Sequence, residues 1–189
     1  MKNLKLEQRH RRESFLGLCV LVLMTGCGSP LAVSDYISLK LSGIKDGDIR
    51  NGQVSEEKNV NTEEGNPYSE FLRVVGEELD GAAPSRIEVE SVGLQVHSDS
   101  KGVSDLETVF QSLEVFVATG ETIATVGYIE VVSGSTVTLD DIQNGSLDTV
   151  QAALIEGNFK MGVRGTVHET LPDDFELKIS MDVQFSAYP

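Results

Sequence analysis

Three histidines, two cysteines and thirty carboxylates hold most of the reactive chemistry in this chain of 189 residues. His97 and His168 each close an alternating segment, on its polar phase. Ser98 and Asp99 follow His97, and Asp173 lies near His168, so the materials for Ser-His-Asp hydrolysis are present. The sequence has no GxSxG elbow to present a nucleophile. Ser98-Asp99-Ser100-Lys101 has the SxxK spacing of acylating serines. That chemistry needs the serine at a helix start and companion SDN and KTG elements, and here the four residues form a polar turn without them. Both histidines are therefore expected to be exposed strand-end residues.

Carboxylate pairs occur at Glu56-Glu57, Glu63-Glu64, Glu77-Glu78, Asp140-Asp141 and Asp173-Asp174. A glycosidase needs two carboxyl groups facing one bond, and neighbours on a strand point to opposite faces. Only pairs in loops could converge. Asp46, Asp48 and Glu57 occupy positions one, three and twelve of a calcium-loop spacing. Position five is Arg50 and position six is Asn51, where a ligand and a glycine belong, so a helix–loop–helix site is not expected. What remains is weak Ca²⁺ binding by hard oxygens in an acidic loop. Asn144-Gly145-Ser146 has the form of a glycosylation sequon, but Asn-Gly reads better as a turn.

The two cysteines lie at positions 19 and 27. Lys2, Lys5, Arg9, Arg11 and Arg12 form a basic stretch, and Phe15 to Met24 is an apolar run broken by one Gly. Ten residues are too few to cross a bilayer core, so the layout is that of a cleaved secretory signal. Met24-Thr25-Gly26-Cys27 resembles the bacterial lipoprotein cleavage box, with Met in place of the usual Leu. The resemblance implies a signal peptide over 1–26, a lipid-bearing Cys27 and a short tether over 27–35. It implies a bacterial envelope location and a membrane partner engaged through the lipid. Because no Asp follows Cys27, the resemblance points to the outer membrane.

Processing at that point would remove five basic and two acidic residues, leaving ten basic against 28 acidic and a net charge of −18 on 163 residues. It would also leave a domain with no thiol but the acylated one, and so no disulfide or Cys-based zinc site. A surface this acidic repels anionic headgroups and nucleic acid. Trp is absent and aromatics make up 6%, which further disfavours base stacking.

The elements that must position any site are mostly strands. Ile37, Leu39 and Leu41 alternate with polar residues, and so do Ile87 and Val89. After Ser91 the phase flips to Val92, Leu94 and Val96, which predicts a bulge near Ser91-Val92-Gly93. Leu113 to Val117 reads as a strand, Ser135 to Leu139 as a short one, and Ile123 to Val132, apolar on both faces, as a central one. Phe159 to Val167 and Phe175 to Phe185 alternate most clearly, and with Leu171-Pro172-Asp173-Asp174 between them they predict an antiparallel hairpin. Asn66-Pro67 opens a helix with Tyr68, Phe71, Leu72, Val75 and Leu79 on one stripe. A second helix is expected from Leu147 to Glu156, capped by Ser146 and stopped by Gly157. Residues 45–66 are acidic, glycine-rich and nearly devoid of apolar side chains, and read as a long loop.

The chain is thus expected to be mainly β: an antiparallel β-sandwich, immunoglobulin-like in a general sense, with one or two short helices, in a single domain over 36–189. A small β-barrel is the alternative. The functional expectation is a non-enzymatic, lipid-anchored envelope module that binds or assembles with a protein or glycan partner. The alternative is a carbohydrate-active or hydrolytic accessory enzyme using loop carboxylates.

Overall fold

The computed structural model describes residues 32–189. The signal segment and Cys27 lie outside the described residues. Eight strands form two four-stranded antiparallel sheets. They are β1 (Val33–Lys40), β2 (Gln53–Val60), β3 (Arg86–Val96), β4 (Phe110–Thr119), β5 (Thr122–Ile129), β6 (Thr136–Leu139), β7 (Phe159–Val167) and β8 (Ile179–Tyr188). One sheet has the order β1-β8-β3-β6 and the other β2-β7-β4-β5. The expected sandwich is present. Its strand order is that of a jelly roll, so the immunoglobulin likeness extends no further than two packed sheets.

The alternation read from the sequence assigns most side chains to their faces. Ile179, Met181, Val183, Phe185 and Ala187 point inward from β8, and Phe159, Met161 and Val163 point inward from β7. These two strands are not the hairpin expected from their patterns. They belong to opposite sheets, and residues 168–178 arch between them. Alternation reports that a strand has one dry face. It does not report whether its neighbour in sequence lies beside that face or across from it, and a sandwich offers both.

Three further expectations are corrected. Ile123 to Val132 is not a central strand. Its strand part is β5, at the edge of its sheet beyond β4, and Ile123 and Val131 among its apolar residues are exposed. The stretch 45–66 is not a single loop, because it contains β2, which pairs along its whole length with β7. Only Val54 and Val60 of β2 are buried, so an edge strand carried no apolar periodicity to read. The second helix begins earlier than expected and is broken. It comprises α2 (Asn144–Leu147), a 3-10 turn over Asp148–Val150 and α3 (Gln151–Glu156).

Other readings stand close to the structure. α1 (Pro67–Glu78) has Asn66 as its cap, with the side-chain oxygen accepting from Tyr68 N at 3.0 Å. Tyr68, Phe71 and Val75 are its buried stripe. The register of β3 shifts between Val89 and Ser91, one residue before the expected bulge, and the phase of burial flips there. Gly157 ends α3 in the left-handed region, at φ 68°.

The connections sort into two ends. Segment 41–52 meets segment 168–178 through the Ile44–Leu177 bridge, and segment 97–109 meets the same arch through Lys101–Glu176. Leu106 N donates to Gly134 O, adding the β5–β6 connection to this loop end. The opposite end is helical. Tyr68 Oη of α1 donates to Leu154 O of α3 at 2.9 Å, and Gly157 sits against Tyr68 and Leu72. Val33 starts β1 at this helical end, paired with Ala187 near the end of β8.

Candidate binding site

The catalytic arrangements considered from sequence are not assembled. In a Ser-His-Asp triad the imidazole Nδ1–H donates to the carboxylate. Here His97 Nδ1 accepts from Asp99 N at 3.0 Å, and Asp99 Oδ2 is 3.6 Å away and bound to Lys40 Nζ at 2.7 Å. The Lys40 ammonium holds the Asp99 carboxyl below the usual carboxylate range. Ser100 Oγ is engaged by Lys178, donating to its carbonyl and accepting from its N–H. Ser98 is exposed, and Lys101 turns toward Glu176 at 3.9 Å. His168 lies at the end of β7, where its backbone N–H donates to Val109 O.

The calcium-spaced residues are also separated. Asp46, Asp48 and Glu57 line three different depressions. Asp48 Oδ2 accepts from Lys45 N at 2.9 Å, and Glu57 is ion-paired with Lys160 across β2 and β7. No group of three or more metal-ligating side chains is found among the described residues. The Asn144 side chain, far from being a glycan acceptor, is bonded to both backbone groups of Val89.

A different constellation forms on the outer face of the β2-β7-β4-β5 sheet. The inward set of this sheet leaves Ser55, Arg164, Glu114 and Tyr128 side by side across its four strands, as their register requires. Arg164 donates to Glu114 through both Nε (2.7 Å) and Nη2 (2.8 Å). Thr125 Oγ1 donates to the same carboxylate at 2.6 Å. The guanidinium carbon lies 5.7 Å from the centroid of the Phe116 ring. Phe116 is an outward-facing aromatic on β4, yet it is only 3% exposed, with the Arg164 guanidinium over its ring. The Glu114 carboxyl is held below the ordinary range, first by the hydrogen bonds from Arg164 and then by that from Thr125.

This network forms one wall of a depression of about 740 Å³ at the loop end of the sheet. Arg50 and Asp48 enter it from the β1–β2 connection, and Ser112 and Thr166 line it from β4 and β7. Asn51 (φ 54°) and Gly52 (φ 73°) make the tight turn that brings Arg50 back over β2, with Arg50 and Gln53 exchanging backbone hydrogen bonds. Arg50 Nη1 donates to Gly47 O at 2.7 Å and Ile49 O at 3.0 Å, so the side chain is held by carbonyls. Tyr128 is 54% exposed beside Glu114.

Sequence reasoning did not find this site. Glu114, Arg164 and Tyr128 lie on three strands, and no local motif links them. The one available signal was outward-phase Phe116 and Tyr128, aromatics where a wet sheet face should carry polar residues. No protein-family model matches the chain, and no curated protein matches it. Among solved structures, a tomato aspermy virus structure is similar with a TM-score of 0.35 and 12% identity, over 82% of this chain and 79% of that one. The decameric BFDV capsid protein also has a TM-score of 0.35, with 8% identity over 84% of this chain and 98% of that one.

Proposed function

We propose that the protein is a lipid-anchored binding module of the bacterial envelope, tethered through Cys27 and recognising its partner with the loop end of the jelly roll. The observation that carries this reading is the end of the domain at which the described chain begins. Residue 32 enters at the helical end, and Cys27 is five residues upstream, a reach of at most about 18 Å. An anchor there holds the helical end toward the bilayer. It turns the loop end, with the Arg50–Glu114–Arg164 depression, toward whatever lies beyond. The helical end carries Glu63, Glu64, Glu70, Glu77, Glu78 and Asp80 around α1, more acidic residues than the nearby Lys58, Arg73, Arg86 and Lys160 balance. Such a surface does not adsorb to anionic headgroups, so the lipid provides the attachment and the domain stands free.

Hydrolysis is the less supported reading. A general acid needs a carboxyl pushed upward by burial or by a like charge. Among the described residues, the carboxyls with displaced values are Glu70, Asp99 and Glu114, and all three are displaced downward by cationic neighbours. The test is a photo-crosslinker placed at Ser55 or Thr166 of the lipidated protein in its own membranes, with Glu64 at the helical end as the control position. Partner adducts at the first two positions and not at Glu64 are expected. Adducts only at Glu64 would overturn the assignment of the loop end.

A further inference from the structure

We infer that the depression at the loop end recognises a carboxylate-bearing oligosaccharide, with Arg50 receiving a carboxylate at the β2 edge and Tyr128 stacking on another sugar unit at the β5 edge. This deepens the binding-module reading and rests on it. Three observations lie along this one depression. First, Arg50 is a cation without a carboxylate partner among the described residues. Two carbonyls hold its Nη1, and its Nη2 and Nε have no hydrogen-bond partner among the described residues. A guanidinium presents a planar fork that matches a carboxylate with two parallel hydrogen bonds. Arg164, in the same depression, differs: Glu114 already takes its Nε and Nη2, and Nη1 is left without a partner among the described residues. The depression thus holds two guanidiniums and two carboxylates: Glu114 is paired with Arg164, while Asp48 accepts from Lys45 N and forms no ion pair with Arg50, so Arg50 is the cation open to one acidic group.

Second, Tyr128 presents a half-exposed ring at the rim, on a strand whose position is held by α2 through Gln143 N to Val126 O at 2.8 Å. An aromatic ring set on a rigid strand loses little entropy when a flat, partly apolar ring lies on it. Third, Ser55, Ser112, Thr166, Asn51 and Gln53 are also in the lining, hydroxyl and amide groups that both donate and accept, beside Asp48, Val54 and Gly165. Sugar hydroxyls need that dual capacity. The lining includes one aliphatic side chain, Val54, beside the Glu114–Arg164 pair, so a peptide side chain would find no apolar hole to fill.

The net charge of the domain argues against loose adsorption of acidic polymers, so any acidic sugar that binds must do so at a local site. The experiment uses the full-length lipidated protein in neutral-lipid nanodiscs, titrated calorimetrically with an oligogalacturonate and with a neutral maltooligosaccharide of equal length. Binding of the uronate at least tenfold tighter than the neutral oligomer is expected. Arg50→Gln and Tyr128→Ala are each expected to weaken it tenfold or more. Lys58→Gln, which removes an exposed charge from the same edge strand outside the depression, is expected to leave it unchanged. Unchanged melting temperatures exclude misfolding of the variants. Equal affinity for both sugars, no uronate binding, or a Lys58→Gln loss matching that of Arg50→Gln would each overturn the inference. If crosslinking still places a partner at the loop end in those cases, the binding-module reading stands and only the ligand class falls.

Discussion

Asn144 lies against Val89 as if it were a residue of a neighbouring strand. Val89 N donates to its Oδ1 at 3.0 Å, and its Nδ2 donates to Val89 O at 2.9 Å. Gln151 does the same for Ile87, accepting from its N–H at 3.0 Å and donating to its carbonyl at 2.7 Å. β6 pairs only with Val92–Gln95, so the first half of β3 has no strand on that side. Two side-chain amides from α2 and α3 complete the edge instead, which blocks edge-to-edge pairing there. Removing Asn144 as Asn144→Ala leaves both backbone groups of a fully buried residue unsatisfied. A loss of about 1–3 kcal/mol in urea unfolding is expected, and Asn144→Asp, which keeps only the acceptor, should also destabilise. A change within experimental error for both variants would show that water replaces the amide without cost.

The β8 alternation makes an unequal pair of neighbours. Ile179 is fully buried, while Lys178 lies on the outer face within 3.5 Å of Glu176. Ile179→Ala should cost about 2–5 kcal/mol, through lost burial and a residual cavity. Lys178→Ala should cost well under about 1 kcal/mol, since its ion pair is partly exposed and Glu176 keeps Lys45 and Lys101 nearby. Comparable melting losses would contradict the assigned facing.

Glu114 links the binding face to pH. Its folded pKa is depressed by Arg164 and Thr125. A depressed carboxyl stabilises the fold above its unfolded value, about 4.3, and that stabilisation is lost as pH falls through the folded value. The stability gap between the wild type and Glu114→Gln should therefore be widest near pH 6 and shrink below about pH 4. Urea midpoints at the two pH values measure it, and a gap that widens in acid would contradict the sign.

Calcium is expected to act on this protein only as an ion of the medium. Asp46, Asp48 and Glu57 face separate depressions, and Glu57 and Asp48 already have partners. Melting curves in millimolar CaCl₂ and in NaCl of equal ionic strength should coincide, and Asp46→Ala with Asp48→Ala should not change the comparison. An excess calcium shift abolished by that double variant would restore the site.

Cys27→Ser is expected to abolish palmitate labelling and to move the protein from the membrane to the soluble fraction. Equal labelling of wild type and variant would remove the lipid anchor, and with it the orientation argued for the loop end.

What could be read from the sequence alone was local. Alternation over Phe175 to Phe185 placed inward and outward side chains, Asn66-Pro67 marked a helix start, and the phase flip after Ser91 marked a bulge to within a residue. Each is a property of a few adjacent residues, governed by a period of two or of 3.6. Where strands pair was decided only by tertiary structure. β7 and β8 are adjacent in sequence and lie in opposite sheets, because closing a sandwich buries both of their dry faces at once. β2 was invisible because an edge strand buried at Val54 and Val60 gains its stability from hydrogen bonds to β7, which leave no mark on side-chain type. The Arg50–Glu114–Arg164–Tyr128 face was hidden for the same reason. Its members come from three strands and a loop, and only register across the sheet brings their side chains within reach of one another.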